Sequence, residues 1–104
     1  MPELNDATFE AAVAAAPLAV VDFFATWCGP CKMLAPILES VEKETEDVAF
    51  FRVDVDEAPD TARRFGIMSI PTLVFLKDGA DVARTVGVQR KPELLAKIEE
   101  LKAR

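Results

Sequence analysis

The run LAVVDFFA, residues 18 to 25, constrains this chain more than any other stretch, because seven of its eight residues are apolar, β-branched or aromatic. It is far too short to span a bilayer, and it lacks the alternation of a half-wet strand. It therefore reads as a strand covered on both faces, as in a parallel sheet. VAFFRVDV, residues 48 to 55, has the same character. Two such strands need helices above and below them. Asp22 is the one interruption in the first run, and a carboxylate placed there is disfavoured when ionised, so its pKa should rise.

The segments between these strands carry helical patterns. Asn5 or Asp6 can cap a first helix through about Ala16, with Phe9 and Val13 on one face and Pro17 stopping it. Leu34, Ile37, Leu38 and Val41 make the stripe of a second helix that runs to about Glu46 and carries Pro36 as a kink. A third begins at Pro59 and stops at Gly66. TLVFLK from Thr72 and VARTV from Val82 flank a Lys77-Asp78-Gly79 turn, a hairpin. A last helix starts near Pro92 and packs Leu94, Leu95, Ile98 and Leu101. The order α, β, α, β, α, β, β, α, with one crossover and one hairpin, predicts a three-layer α/β domain with a mixed sheet over residues 1–104.

A single domain of 104 residues that is 51% hydrophobic can build a core without a disulfide. Its formal charge of −6 argues against non-specific nucleic-acid binding, which needs a basic patch to displace counterions. No cationic segment followed by an apolar one opens the chain, and no apolar run approaches the ~20 residues of a membrane span. The expectation is a soluble, cytoplasmic protein, in a compartment where structural disulfides are rare.

Both cysteines fall in one short segment, ATWCGPCKML, with Gly29 and Pro30 between Cys28 and Cys31. A zinc or iron-sulfur site needs about four ligands, and this chain has two Cys and no His, so a metal would have to bridge two copies or recruit carboxylates. A structural staple closing so short a loop removes little entropy from the unfolded chain. Redox chemistry fits better. Three residues of separation at the opening of a helix put both sulfurs on one face, where free N–H groups and the helix dipole favour an anion at Cys28. The thiolate is the nucleophile, so Cys28 would attack a partner disulfide and Cys31 would release the partner. Pro30 suits the first helical turn, Gly29 lets a substrate backbone come close, and Lys32 adds a positive charge beside the pair.

WCGPCK at residues 27 to 32 resembles the active-site motif of the thioredoxin family, and the likeness continues through VVDFFATWCGPCKMLAPILE, VDVDEAP, FGIMSIPTLVFLKDG and TVG. The resemblance covers nearly the whole chain. It implies a thioredoxin fold, α/β/α, with a central mixed sheet of four to five strands flanked by four helices. It further implies a protein-disulfide reductase, monomeric, with no cofactor or metal of its own, that acts on disulfide-containing target proteins and is regenerated by thioredoxin reductase. Cys28 matches the family's attacking cysteine, Cys31 its resolving one, Asp22 the buried aspartate that takes the Cys31 proton, and Pro71 the cis-proline. Gly29 and Pro30 match the residues between the cysteines and lean toward the reducing end of the family rather than toward an oxidant or isomerase. Trp27, Met68, Ser69, Ile70, Val86, Gly87 and Val88 would form the substrate groove, with Trp27 as a partial lid and the Ile70 backbone pairing with an extended substrate strand. A different class also fits that groove: a binding module that docks a partner and turns over little.

Three expectations mark where this chain departs from the pattern. The family's first strand is shortened to something like PEL or missing. Where some bacterial thioredoxins have a lysine on the central strand near the buried aspartate, Phe50 is expected here, which leaves water as the proton path to Asp22. The acidic residues Asp54, Asp56, Glu57 and Asp60 lack the spacing and glycine of a calcium loop and are expected to be a solvated strand end.

Overall fold

The two apolar runs become neighbouring strands at the centre of one sheet. In the computed structural model, which describes residues 1–104, the chain order is β1 (Glu3–Leu4), α1 (Phe9–Ala14), β2 (Leu18–Phe24), α2 (Gly29–Lys43), β3 (Ala49–Asp54), α3 (Pro59–Arg64), β4 (Thr72–Lys77), β5 (Ala80–Val86) and α4 (Lys91–Lys102). The spatial order is β1-β3-β2-β4-β5, with β1 and β2 both parallel to β3, and β4 antiparallel to β2 and β5.

The pleat divides the core into two layers, as period-two alternation requires. Ala19, Val21 and Phe23 of β2 pack with Phe9, Val13, Ala58 and Phe65 from the α1 and α3 side. Leu18 and Val20 pack with Leu34, Leu38, Val41, Leu94, Ile98 and Leu101 from α2 and α4. Every residue of β2 is buried. The three-layer α/β/α arrangement, the mixed sheet and the four helices agree with the sequence reading.

Several boundaries differ, each for a local reason. The first strand is present as two residues, Glu3 and Leu4 opposite Arg52 and Val53, so α1 makes a second parallel crossover beside the one through α2. The regular first helix starts at Phe9, and Asn5 caps the turn that leads into it: its side chain accepts the Ala7 and Thr8 N–H groups at 2.9 and 3.0 Å and its carbonyl the Phe9 N–H at 3.0 Å. The helix ends at Ala14, short of Ala16. The second helix ends at Lys43, three residues before Glu46, and Asp47 then takes a left-handed φ of 62° that turns the chain into β3. The hairpin strand begins at Ala80, ahead of Val82, since Asp78 and Gly79 both have positive φ and make a two-residue turn, the geometry that matches strand twist.

Candidate active site

Cys28 ends the loop after β2 and is the residue that caps α2: its φ and ψ are −88° and 112°, and its Sγ accepts the Cys31 N–H at 3.2 Å. A sulfur here occupies the position where the first amide groups of a helix have no partner within the helix. Negative charge on that sulfur is stabilised by the same groups and by the dipole of a 15-residue helix. Gly29 and Pro30 follow in the first turn, Pro30 where its missing N–H loses nothing. Cys31 is 1% exposed and Cys28 5%, their Cα atoms are 5.3 Å apart, and the two sulfurs are joined as a disulfide.

Around the pair, Phe24, Ala25, Val55 and Ile70 form a small apolar cluster. The Ile70 carbonyl oxygen lies 4.0 Å from Cys28 Sγ, and the Ile70-Pro71 peptide is cis. The loop carrying it is pinned on both sides: the Thr72 hydroxyl donates to the Ser69 carbonyl at 2.6 Å, and the Gly87 N–H to the Pro71 carbonyl at 2.8 Å. Gly87 has a φ of +88°, which a residue with a side chain rarely adopts, so the backbone of this turn, and not any crowding around it, suits glycine. Outside the cluster the surface is unusually apolar: Trp27 is 70% exposed, Met68 96%, Val86 56% and Val88 38%, with Ser69 exposed and Ile70 half-buried. Trp27 is held by its indole, whose Nε1–H donates to Asp56 at 2.9 Å. The structure places the Ile70 carbonyl against Cys28 and ties Gly87 to Pro71, Trp27 directly precedes the cysteine pair, and Met68, Ser69, Val86 and Val88 are exposed on the segments that flank Ile70-Pro71 and Gly87.

Asp22 lies on the α2-facing side of β2, between Val20, which packs under Leu34 and Leu38, and Phe24, which packs on the cysteines. It is 1% exposed. Neither carboxylate oxygen has a hydrogen-bond donor, and burial raises its pKa to about 6 even though the charge of Arg52 pulls it down. This is a buried acid and not a polar residue reaching water from a strand end.

The proton path differs from the sequence expectation. Phe50 does not stand beside Asp22: it pairs with Val20 one pleat earlier and is 2% exposed in the core. Arg52 is the residue opposite Asp22 in the parallel ladder, with Nε 3.6 Å from Asp22 Oδ2. That spacing makes an ion contact and not a hydrogen bond. The guanidinium lies 3.7 Å over the Phe24 ring, and its side chain is about a quarter exposed, so it covers the entrance to the acid while keeping one end wet. Sequence reasoning passed over Arg52, yet a signal was there. A lone cation in one buried strand and a lone anion in the next are each costly, and parallel pairing of the two runs sets them side by side.

The acidic residues near β3 are also not a uniform solvated end. Asp54 is 6% exposed, and its Oδ1 accepts the Asp56 N–H at 2.9 Å, which shapes the turn that offers Asp56 to Trp27. Glu57 and Asp60 are exposed.

Comparison with known proteins gives one consistent result. The family model described as Thioredoxin matches residues 1–100. Thioredoxin from Listeria monocytogenes is 48% identical over 93 residues, covering 88% of this chain and 89% of that protein. Among solved structures, chloroplastic thioredoxin z superposes with a TM-score of 0.91 at 33% identity, over 100% of this chain and 96% of that one. Plasmodium falciparum thioredoxin gives 0.89 at 35% identity, over 96% and 98%.

Proposed function

Since this chain belongs to the thioredoxin family and is a protein-disulfide oxidoreductase, we propose that Cys28 attacks the target disulfide and that Cys31 resolves the adduct. In the reduced protein the Cys28 thiolate forms a bond to one target sulfur, the target disulfide breaks, and the departing target thiolate takes up a proton. Asp22 then accepts the Cys31 proton, and the Cys31 thiolate attacks Cys28 Sγ. The second target sulfur leaves, so the target has gained two electrons and the protein holds the Cys28–Cys31 disulfide. An extended target segment pairs with the Ile70 backbone beside the cysteines, and Trp27, Met68, Ser69, Val86, Gly87 and Val88 contact its flanking side chains.

The single observation that carries this assignment of roles is the Cys28 sulfur at the cap of α2, receiving the Cys31 N–H. An acid with a pKa of about 6 behind it supports the proton step, because such a group is basic enough to take a proton near neutrality and acidic enough to give it back. The reading extends to a monomer acting in the cytoplasm on disulfide-bearing proteins, with thioredoxin reductase returning the two electrons and no bound cofactor of its own. No helix is long and apolar enough to cross a membrane.

Insulin reduction tests the roles. The unaltered protein with dithiothreitol or thioredoxin reductase should precipitate the insulin B chain, Cys28→Ser should be inactive, and Cys31→Ser should accumulate a covalent adduct through Cys28. An adduct trapped through Cys31 in the Cys28→Ser protein would reverse the assignment, and absence of turbidity from the unaltered protein would sink the reading altogether.

A further inference from the structure

Met68 is the most exposed large apolar side chain in the molecule, at 96%. Nothing in the fold's stability accounts for it. Its backbone lies in the loop pinned through Ser69 and Pro71, two residues before the Ile70 carbonyl that stands 4.0 Å from Cys28 Sγ. A flexible thioether held on a fixed backbone at the rim of a reaction site is suited to packing against partners of many shapes. It is also far more exposed to a dissolved peroxide than either cysteine sulfur, since Cys28 is 5% exposed and Cys31 1%.

Resting on the reading of the groove given above, we propose that Met68 is an oxidative modification site, at which a hydroperoxide converts the thioether to a sulfoxide and thereby weakens docking of protein disulfides. The step balances: the methionine sulfur loses two electrons and gains one oxygen atom, the O–O bond breaks, and the peroxide leaves as water or an alcohol. The product is polar and chiral where the reactant was apolar, and methionine sulfoxide reductases reverse it. Chemistry at Cys28 is untouched, because the change lies on the contact rim and not on the reacting sulfurs. The chain carries an internal comparison. Of its three methionines, Met33 is 64% exposed on the outer side of α2, and Met1 is partly covered against the α2 and α4 core.

The experiment uses the disulfide form of the full chain, in which both cysteines are protected, exposed to hydrogen peroxide for increasing times. Mass mapping should show oxygen added at Met68 first, Met33 second and Met1 last. After removal of the peroxide, kcat/KM for insulin should fall by roughly three- to tenfold, the loss expected when one central contact side chain is spoiled. The rate with hydroxyethyl disulfide, which is too small to reach the rim, should stay constant. A Met33→Leu protein should show the same loss. A Met68→Leu protein, whatever its starting rate, should keep that rate through the treatment, and sulfoxide reductases should restore the unaltered chain. The proposal is overturned by Met33 reacting before Met68, by an unchanged insulin rate at full Met68 oxidation, by an equal fall with hydroxyethyl disulfide, or by the same loss in Met68→Leu. Failure of the underlying reading looks different: the untreated protein would then reduce neither disulfide.

Discussion

Asp22 and Asp6 are both carboxylates tied to a neighbouring element, and their surroundings push them in opposite directions. Asp22 is buried on β2 with no hydrogen-bond donor on either oxygen, and its pKa is raised to about 6 by burial against the opposing pull of Arg52. Asp6 sits on the exposed turn before α1 and reaches the start of α3, where Oδ1 accepts the Thr61 N–H at 2.8 Å and the Thr61 hydroxyl at 2.7 Å, while Oδ2 accepts the Asp60 N–H at 3.3 Å. Those bonds, the Thr61 hydroxyl foremost, hold its pKa below the ordinary value. The helix needs them, because its own capping residue is Ala58, which has no side-chain acceptor. One aspartate is satisfied and supports the fold. The other is left unsatisfied at the position where we propose a base for the Cys31 proton, and the fold carries it at a loss.

The largest expected effect breaks the Asp22 side of this comparison. A carboxyl with a folded pKa of about 6 against an ordinary 3.8 binds its proton more tightly when folded. Stability linked to it is therefore fully present below about 3.8 and is lost as pH rises through about 6. Asp22→Asn removes the charge, so at pH ~8 the variant should be more stable than the parent by about 2 to 3 kcal/mol, and at pH ~4 the two should nearly coincide. Urea unfolding at the two pH values measures both numbers. Insulin turnover should fall by roughly 10- to 100-fold, at or below the low end of what a positioned base contributes, since water also accepts a thiol proton. A variant that is less stable at the higher pH would show that Asp22 is a structural ion pair after all.

Arg52 sharpens the same contrast at a smaller scale. Replacing it with Met removes the one positive charge beside Asp22 and keeps an apolar stem over Phe24. The Asp22 titration should move upward by about one pH unit, the lower end of what a neighbouring cation supplies, because the guanidinium is partly wet. Carbon-13 NMR of the carboxyl group reads it directly. Arg52→Lys should move it much less, and an unchanged titration in Arg52→Met would mean that burial alone sets the acid.

How far these features can be read in the sequence follows from which forces set them. The two buried strands, the helix stripes and the hairpin depend on apolar periodicity and turn chemistry, which are local, so the layer order and the sheet class follow from composition along the chain. The Cys28–Gly29–Pro30–Cys31 group is likewise local, since spacing alone puts both sulfurs at a helix start. The Arg52–Asp22 contact depends on register between strands 30 residues apart in numbering, and an offset of two residues put Phe50 where Arg52 belongs. Asp6 looked like the cap of its own helix because it precedes it. It caps another helix, 55 residues away, and only the packing of the two elements on one face of the sheet reveals that. Asp54, at the end of β3, is buried where it pairs with Phe24 of β2, and that pairing too is set by strand register.

The smallest effect lies on the Asp6 side and has the opposite sign. Asp6→Ala takes away the only side-chain acceptor at the start of α3, leaving the Thr61 N–H and hydroxyl to water. The loss should be small beside the Asp22→Asn gain, because the site is exposed and solvent replaces the lost bonds. A carboxyl whose folded pKa is lowered contributes stability above its ordinary pKa and loses it as pH falls toward the folded value. The penalty of Asp6→Ala should therefore be full at neutral pH and fade on acidification, the same pH direction in which the Asp22→Asn gain fades. Insulin turnover should not change, since Asp6 acts on α3 and not on the cysteines. The two sites share no partner, so the double variant should show the sum of both changes at each pH. A pH-independent penalty for Asp6→Ala would mean that the Thr61 contacts stabilise through shape and not through charge, and the contrast between the two carboxylates would then reduce to burial alone.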